Sequence, residues 1–298
     1  MRVVWCLMFV VAGLMGCENN PSVLVEPEGE ISGFLVKGPI AGAEVTVRDA
    51  ETARSYGSAQ SEPDGAFSIP LHILSVPIEL CSQGGSYVEE ATATTVQMEG
   101  EGLCSLIVEP ALPGIHAGAL ITPWTHLVSV RSHALVNQGL ELEDAVKQAQ
   151  IELDSFLGCG LGIALSQARP VDTTRVQEGP IDLSAGVLSG LLLGGLSMQA
   201  KLISEDMGLT PGIRFTAKTL VDAYAADLED GLFDGRSLTG PIQIQGFRLT
   251  EQTLRSDRLG FVQGLRPYLD SDRNGTGIGS ADLSDYLACL AESSSPIF

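Results

Sequence analysis

The side chains in this 298-residue sequence whose spacing could do chemistry are its carboxylates and cysteines. Asp270, Asp272 and Asn274 alternate, Gly275 permits a sharp turn, and Asp282 follows the apolar Ile278. Calcium takes about six to eight oxygens at roughly 2.3–2.6 Å, which such a run can supply. The same residues also suit a polar helix–helix loop whose Asp side chains cap helix ends. A second acidic group, Asp227, Glu229, Asp230 and Asp234, surrounds Gly231 and Gly235, and turn chemistry is the expectation there. Of the histidines (His72, His116, His126 and His133), the last two can share a helix face, but no third ligand points to zinc. The signatures H-E-x-x-H, G-x-S-x-G and G-x-x-x-x-G-K-[ST] are absent. Gly158 to Gly162 is Gly-rich but follows a helical pattern, so a nucleotide loop is discarded. With 37 acids in the chain, no pair stands out as acid and base.

The 270–282 run resembles an EF-hand or dockerin-type loop at its first, third, fifth and sixth positions, with a helix on each side. The resemblance implies calcium held by Asp270, Asp272, Asn274 and Asp282. Thr276-Gly277 stands where one residue would precede Ile278, so the closing acid falls one place late. Asp rather than Glu there implies weak, extracellular-grade affinity.

The N-terminus bears on the compartment. Arg2 gives one positive charge, and Val3 to Leu14 is almost wholly apolar. That stretch is shorter than the roughly 20 residues a membrane span needs, and it has the layout of a secretory signal. Leu14-Met15-Gly16-Cys17 resembles the lipobox of bacterial lipoproteins, with Met15 the one departure. The resemblance implies cleavage after residue 16, a diacylglycerol thioether on Cys17 and acylation of the new amine, with the lipid bilayer as partner. Each buried CH₂ contributes about 0.8 kcal/mol, so two or three chains hold firmly. Glu18, rather than Asp, after the lipidated residue points to the outer membrane.

Removing Cys6 with the signal and acylating Cys17 leaves Cys81, Cys104, Cys159 and Cys289. An even number in an oxidising compartment predicts two disulfides, with three connectivities open. Spacing favours Cys81–Cys104 and Cys159–Cys289. A Cys₄ zinc site would need paired C-x₂-C ligands, which are absent.

Composition sets the outer bounds. Hydrophobic residues make up 44% and charged residues 18%, enough to bury a sizeable core in about two domains. The formal charge of −20 repels phosphate backbones and argues against nucleic acid. It suits solubility, cations and basic patches on other proteins.

The elements that must position these groups follow in order. Residues 17–30 read as an acidic tether. Residues 31–112 alternate with period two between turn signals such as Glu62-Pro63-Asp64-Gly65. Gly38-Pro39-Ile40-Ala41-Gly42-Ala43-Glu44-Val45-Thr46-Val47 and Pro63-Asp64-Gly65-Ala66-Phe67-Ser68-Ile69 resemble the carboxypeptidase-regulatory-like, or prealbumin-like, module. That resemblance implies a small Greek-key β-sandwich and says little about function. Gly84-Gly85-Ser86-Tyr87-Val88-Glu89-Glu90-Ala91-Thr92, Ile121-Thr122-Pro123-Trp124 and Asp227 to Gly235 then look like exported lipoproteins in which such a module precedes a helical domain. From residue 113 to 298 the pattern is read as helical, Thr122 capping a helix that starts with Pro123. Leu183 to Ala200 is very apolar, with Gly186, Gly190 and Gly194 at spacing four. It is read as a buried helix approached closely by a neighbour, in preference to a membrane span.

The expectation is therefore an α+β protein: an antiparallel β-sandwich followed by an all-α bundle. It is lipid-anchored in the bacterial envelope, non-catalytic, and binds an envelope protein or polysaccharide or serves envelope structure. The alternatives are an envelope-polymer hydrolase using unmarked carboxylates and a calcium-dependent module; no cofactor besides calcium is expected.

Overall fold

The computed structural model describes residues 29–71, 77–108, 115–176, 181–237, 239–254 and 258–292. The signal segment 1–16, Cys17, His72 and all but the end of the 17–30 tether lie outside the described residues.

The first half is built of strands. β1 (Gly29–Leu35), β2 (Glu44–Asp49), β3 (Ser55–Gln60), β4 (Ala66–Leu71) and β5 (Ile78–Gln83) precede β6 (Ser86–Val88), β7 (Thr95–Gln97), β8 (Glu101–Ile107) and β9 (Ile115–Ile121). One sheet runs β4-β1-β9 and another β3-β2-β5-β8, with β6 and β7 forming a short ribbon. Alternation explains them: Ile31 and Leu35, Val45 and Val47, and Phe67, Ile69 and Leu71 are buried while their neighbours within each strand are less so. Gly65, at φ +80, makes the turn expected after Pro63-Asp64; a β-carbon there would sit 2.3 Å from the Leu35 carbonyl oxygen.

The second half supplies α1 (Pro123–Asn137), α2 (Leu142–Gly158), α3 (Ala185–Asp206), α4 (Ala217–Leu228), α5 (Glu251–Leu254), α6 (Arg258–Leu269) and α7 (Ser284–Glu292). Thr122 caps α1 in a reciprocal box with Thr125, and Thr216 does the same for α4 with Thr219.

Two findings correct the expected fold class. The second half is not all-α: β10 (Arg236–Ser237), β11 (Gly240–Ile244) and β12 (Phe247–Leu249) form an antiparallel sheet between α4 and α5. Its cause is local. Gln245 (φ 50) and Gly246 (φ 82) turn the chain by two residues, and the buried Ile242 and Leu249 pair across it. Nor is the first half purely antiparallel, because β9 joins β1 in parallel after the crossover from the other sheet.

The halves share one buried core, from Ile31 and Val45 through Trp124 to Leu196 and Leu265. Ala185–Asp206 is long and apolar enough to cross a membrane, yet 83% of its apolar 18-residue stretch is buried in this fold. Its glycines are contact points. A β-carbon at Gly190 would lie 2.2 Å from the Val171 carbonyl oxygen, and one at Gly194 would lie 2.0 Å from the Tyr268 ring. The segment 169–175 thus lies as a strap along α3, and the Val171 amide donates to the Gly186 carbonyl at 3.0 Å.

Gly190→Val should force the strap off α3. The expected loss is about 1–3 kcal/mol, seen as a lower urea midpoint at unchanged m. A midpoint equal to the parent's would refute the close-approach role.

Candidate functional site

The site begins with a charge buried between the halves. Lys37 lies just after β1, in a turn that brings Val36 back to Pro39 through an isolated bridge. Ala41 and Ser86 exchange backbone hydrogen bonds of 2.9 Å, setting this turn beside β6, whose end carries Glu89 and Glu90. Lys37 donates to Glu89 Oε2 at 3.2 Å and pairs with Glu90 Oε2, its ammonium 5.2 Å from the Tyr87 ring centroid. All four side chains are buried.

Glu89 is saturated by the helical half. Its carboxylate accepts from Ser197 Oγ of α3 at 2.7 Å and from the Ala217 amide, at the N-terminus of α4, at 2.6 Å. Tyr87 Oη adds a long bond of 3.4 Å. An anion at a helix N-terminus meets unsatisfied N–H groups and the positive end of the dipole. Glu90 differs. Beyond Lys37, its other oxygen, Oε1, lies near Gly38, 3.8 Å from where a β-carbon there would sit. Burial pushes the Glu90 carboxyl up, Lys37 pulls it down, Glu89 pushes it up again, and the net shift is upward. Burial pushes the Lys37 ammonium down, but the charges of Glu89 and Glu90 outweigh it and raise it.

Glu90 borders a cavity of about 380 Å³, walled by the 36–39 and 63–64 turns and by the strap. Asp172 and Asp64 also border it, but both hold loop structure. Asp172 accepts from Thr174 and pairs with Arg175 at 2.9 Å, and Asp64 accepts from the Ala66 amide. Arg169, exposed at the rim, has its guanidinium carbon 3.2 Å from the Phe34 ring centroid.

The residues singled out in the sequence fall elsewhere. Asp270 Oδ1 accepts from the Ser280 amide at 2.9 Å, and Asp282 Oδ2 from the Gly279 amide at 2.8 Å, so these two converge beside Gly279. Asn274 turns away, donating to the carbonyls of Leu269 and Ile278, and Asp272 is exposed. Asp270, Asp272 and Asp282 do not gather as a ligand set within 4.8 Å. Asp227 Oδ1 accepts from the amides of Asp234, Gly235 and Arg236, the turn role expected of it.

Cys81 faces Cys104 across β5 and β8, their sulfurs at disulfide distance, as are those of Cys159 and Cys289. Among the described residues, Glu79, Cys81 and Cys104 are the group whose ligand atoms approach one another closely enough for a metal. The sulfurs are paired, and Glu79 is engaged by Arg48, by Ser129 at 2.8 Å and by His133 at 3.1 Å. Burial pushes the Glu79 carboxyl up, but those hydrogen bonds and the Arg48 charge hold it at about 2. His126 and His133 do share a face of α1, directed at β8 and β5. His126 Nδ1 accepts from the Cys104 amide, and burial with the nearby Lys218 lowers its pKa to about 4.

Fold and site define a class: an α+β protein whose β-rich N-terminal half is joined to a largely helical half through a buried ion cluster beside a cavity. No family model matches the chain, and no curated protein matches it. Among solved structures it is similar to a 9R-lipoxygenase from Cyanothece PCC8801, at 9% identity and a TM-score of 0.22. The similarity covers 40% of this chain and 24% of that one, and is too slight to carry an argument.

Lys37→Met leaves two buried carboxylates without their cation and should cost about 3–5 kcal/mol. Adding Glu90→Gln should restore part of that stability, since one carboxylate then remains; equal melting of the single and double variants would contradict the charge account. Glu79 has a depressed pKa, so its stabilisation is present above its ordinary value of 4.5 and lost as pH falls toward about 2. Acid unfolding should therefore show the gap between parent and Glu79→Gln closing across that window, and a pH-independent gap would count against it.

Proposed function

We propose that the chain is an exported, lipid-anchored protein of the bacterial envelope, most at home in the outer membrane, whose body binds a partner or serves envelope structure without catalysing a reaction. The fate of the cysteines carries this reading. With Cys6 removed and Cys17 acylated, the remaining four fall into two pairs at disulfide distance. Complete pairing suits an oxidising compartment. The Leu14-Met15-Gly16-Cys17 motif supports the anchor, and the β-rich first half fits a prealbumin-like module.

A hydrolase is the second reading, with one observation in its favour: Glu90 is a buried carboxyl with a raised pKa at a cavity wall. Acid–base hydrolysis of a glycosidic bond needs a second carboxyl free to act. Asp64 and Asp172 are committed to their loops, which makes binding the better account of the cavity.

The purified, denatured and unreduced chain should show no reactive thiol, against six for an unprocessed, reduced one. Radiolabelled palmitate should label the parent and not Cys17→Ser, and the variant should leave the membrane fraction. Free thiols from Cys81 to Cys289, or label retained by the variant, would overturn the proposal.

A further inference from the structure

The cavity beside Glu90 has the size and shape of a small-molecule site, within the roughly 300–1,000 Å³ such sites occupy. Its walls are mixed: Val36, Pro39, Val88 and Leu193 of α3 supply apolar surface, and Asp64, Glu90, Asp172 and Arg175 bring charge to the lining. Prolines fix the backbone of three wall segments at Pro39, Pro63 and Pro170, so the space is preformed.

Behind the Glu90 wall the buried charges are unbalanced in a directed way. Lys37 supplies one positive charge against the two carboxylates of Glu89 and Glu90. Glu89 is compensated by the start of α4 and by Ser197, whereas Glu90 has Lys37 and its own backbone amide, and its Oε1 lies near Gly38, which also lines the cavity. A buried carboxylate so placed attracts a hydrogen-bond donor carrying positive charge. A hard metal ion would need several oxygens, and the Asp64 and Asp172 carboxylates are already held by protein donors. At the rim the sign reverses. Arg169, an exposed residue with its guanidinium carbon 3.2 Å from the Phe34 ring centroid, suits recognition of a carboxylate.

We infer that this cavity binds a small zwitterion, a free amino acid or short peptide, with its ammonium on Glu90 and its carboxylate at Arg169. The apolar part of the lining takes the carbon skeleton between. The site stands on the cavity and not on the lipid anchor, so a chain without acylation at Cys17 binds equally.

The test is calorimetric titration of the purified full-length chain with lysine and with Ala-Ala. N-acetyl-Ala-Ala, which lacks the ammonium, and Ala-Ala amide, which lacks the carboxylate, serve as half-ligands. At least one of the two zwitterions should bind one to one, and each half-ligand should bind about tenfold or more weakly. Glu90→Gln should weaken binding about ten- to a hundredfold, and Arg169→Met about tenfold. Melting curves identify any variant that fails to fold; because Arg169 is exposed, its variant keeps the test decisive if Glu90→Gln does not fold. Absence of heat from both zwitterions at millimolar concentration overturns the inference. So does affinity that neither substitution changes, or acetylated peptide binding as tightly as the free one.

Discussion

Three charges held out of water set the terms for the rest of this structure. Lys37, Glu89 and Glu90 meet where the strands end and the helices begin, and none is exposed. Such clusters are weak stabilisers, because desolvation offsets most of the Coulombic gain, but they penalise any arrangement that leaves one member alone. Their effect is therefore geometric. The start of α4 must stay on Glu89 and the Lys37 turn must stay on both acids, so the two halves have one docking position.

Packing enforces the same position along the same side of α3, where Gly190 lies about two turns before Ser197. Helical glycines cost stability unless something uses the space they leave. Here Gly190 and Gly194 admit the strap carbonyl and the Tyr268 ring, and Tyr268 Oη lies 2.7 Å from Thr173 Oγ1 of that strap. The strap then forms one wall of the cavity that Glu90 borders. Helix packing and cluster geometry thus fix two parts of the lining of the same space. Neither part can shift without uncovering a buried polar group.

Much of this was legible in the sequence, for identifiable reasons. Period-two alternation located the strands, Thr122-Pro123 marked the start of α1, and the stripe Gly186, Gly190, Gly194 announced a close neighbour. The cysteine spacing matched the observed pairs. The β10–β12 sheet was not found, although Pro241 to Leu249 alternates around Gln245-Gly246; Gln-Gly is a weaker turn signal than Asn-Gly or Asp-Gly. The ion cluster was not found either. Its members lie 52 and 53 residues apart, and it depends on one helix start and one serine contributed from more than a hundred residues away. Adjacent acids at the end of a short strand were the one local sign, in a segment that carried a family resemblance without a role for either acid. Asp270 and Asp282, by contrast, advertised a ligand pattern that the folded loop spends on its own backbone.

The contrast between the neighbouring acids decides how the cluster is to be understood. If burial alone had shaped it, both carboxylates would be enclosed by donors, as Glu89 is by Ser197, Ala217, Tyr87 and Lys37. A hydrophobic pair of similar volume would dock the halves with no desolvation to offset. Glu90, equally buried, has fewer donors, Lys37 and its own backbone amide, and lines the cavity. Burial first, and then the neighbouring Glu89 charge, raise its pKa against the pull of Lys37. Glu89 is explained by how the halves dock; Glu90 shares in that docking through Lys37 and also places a carboxyl group at the cavity wall.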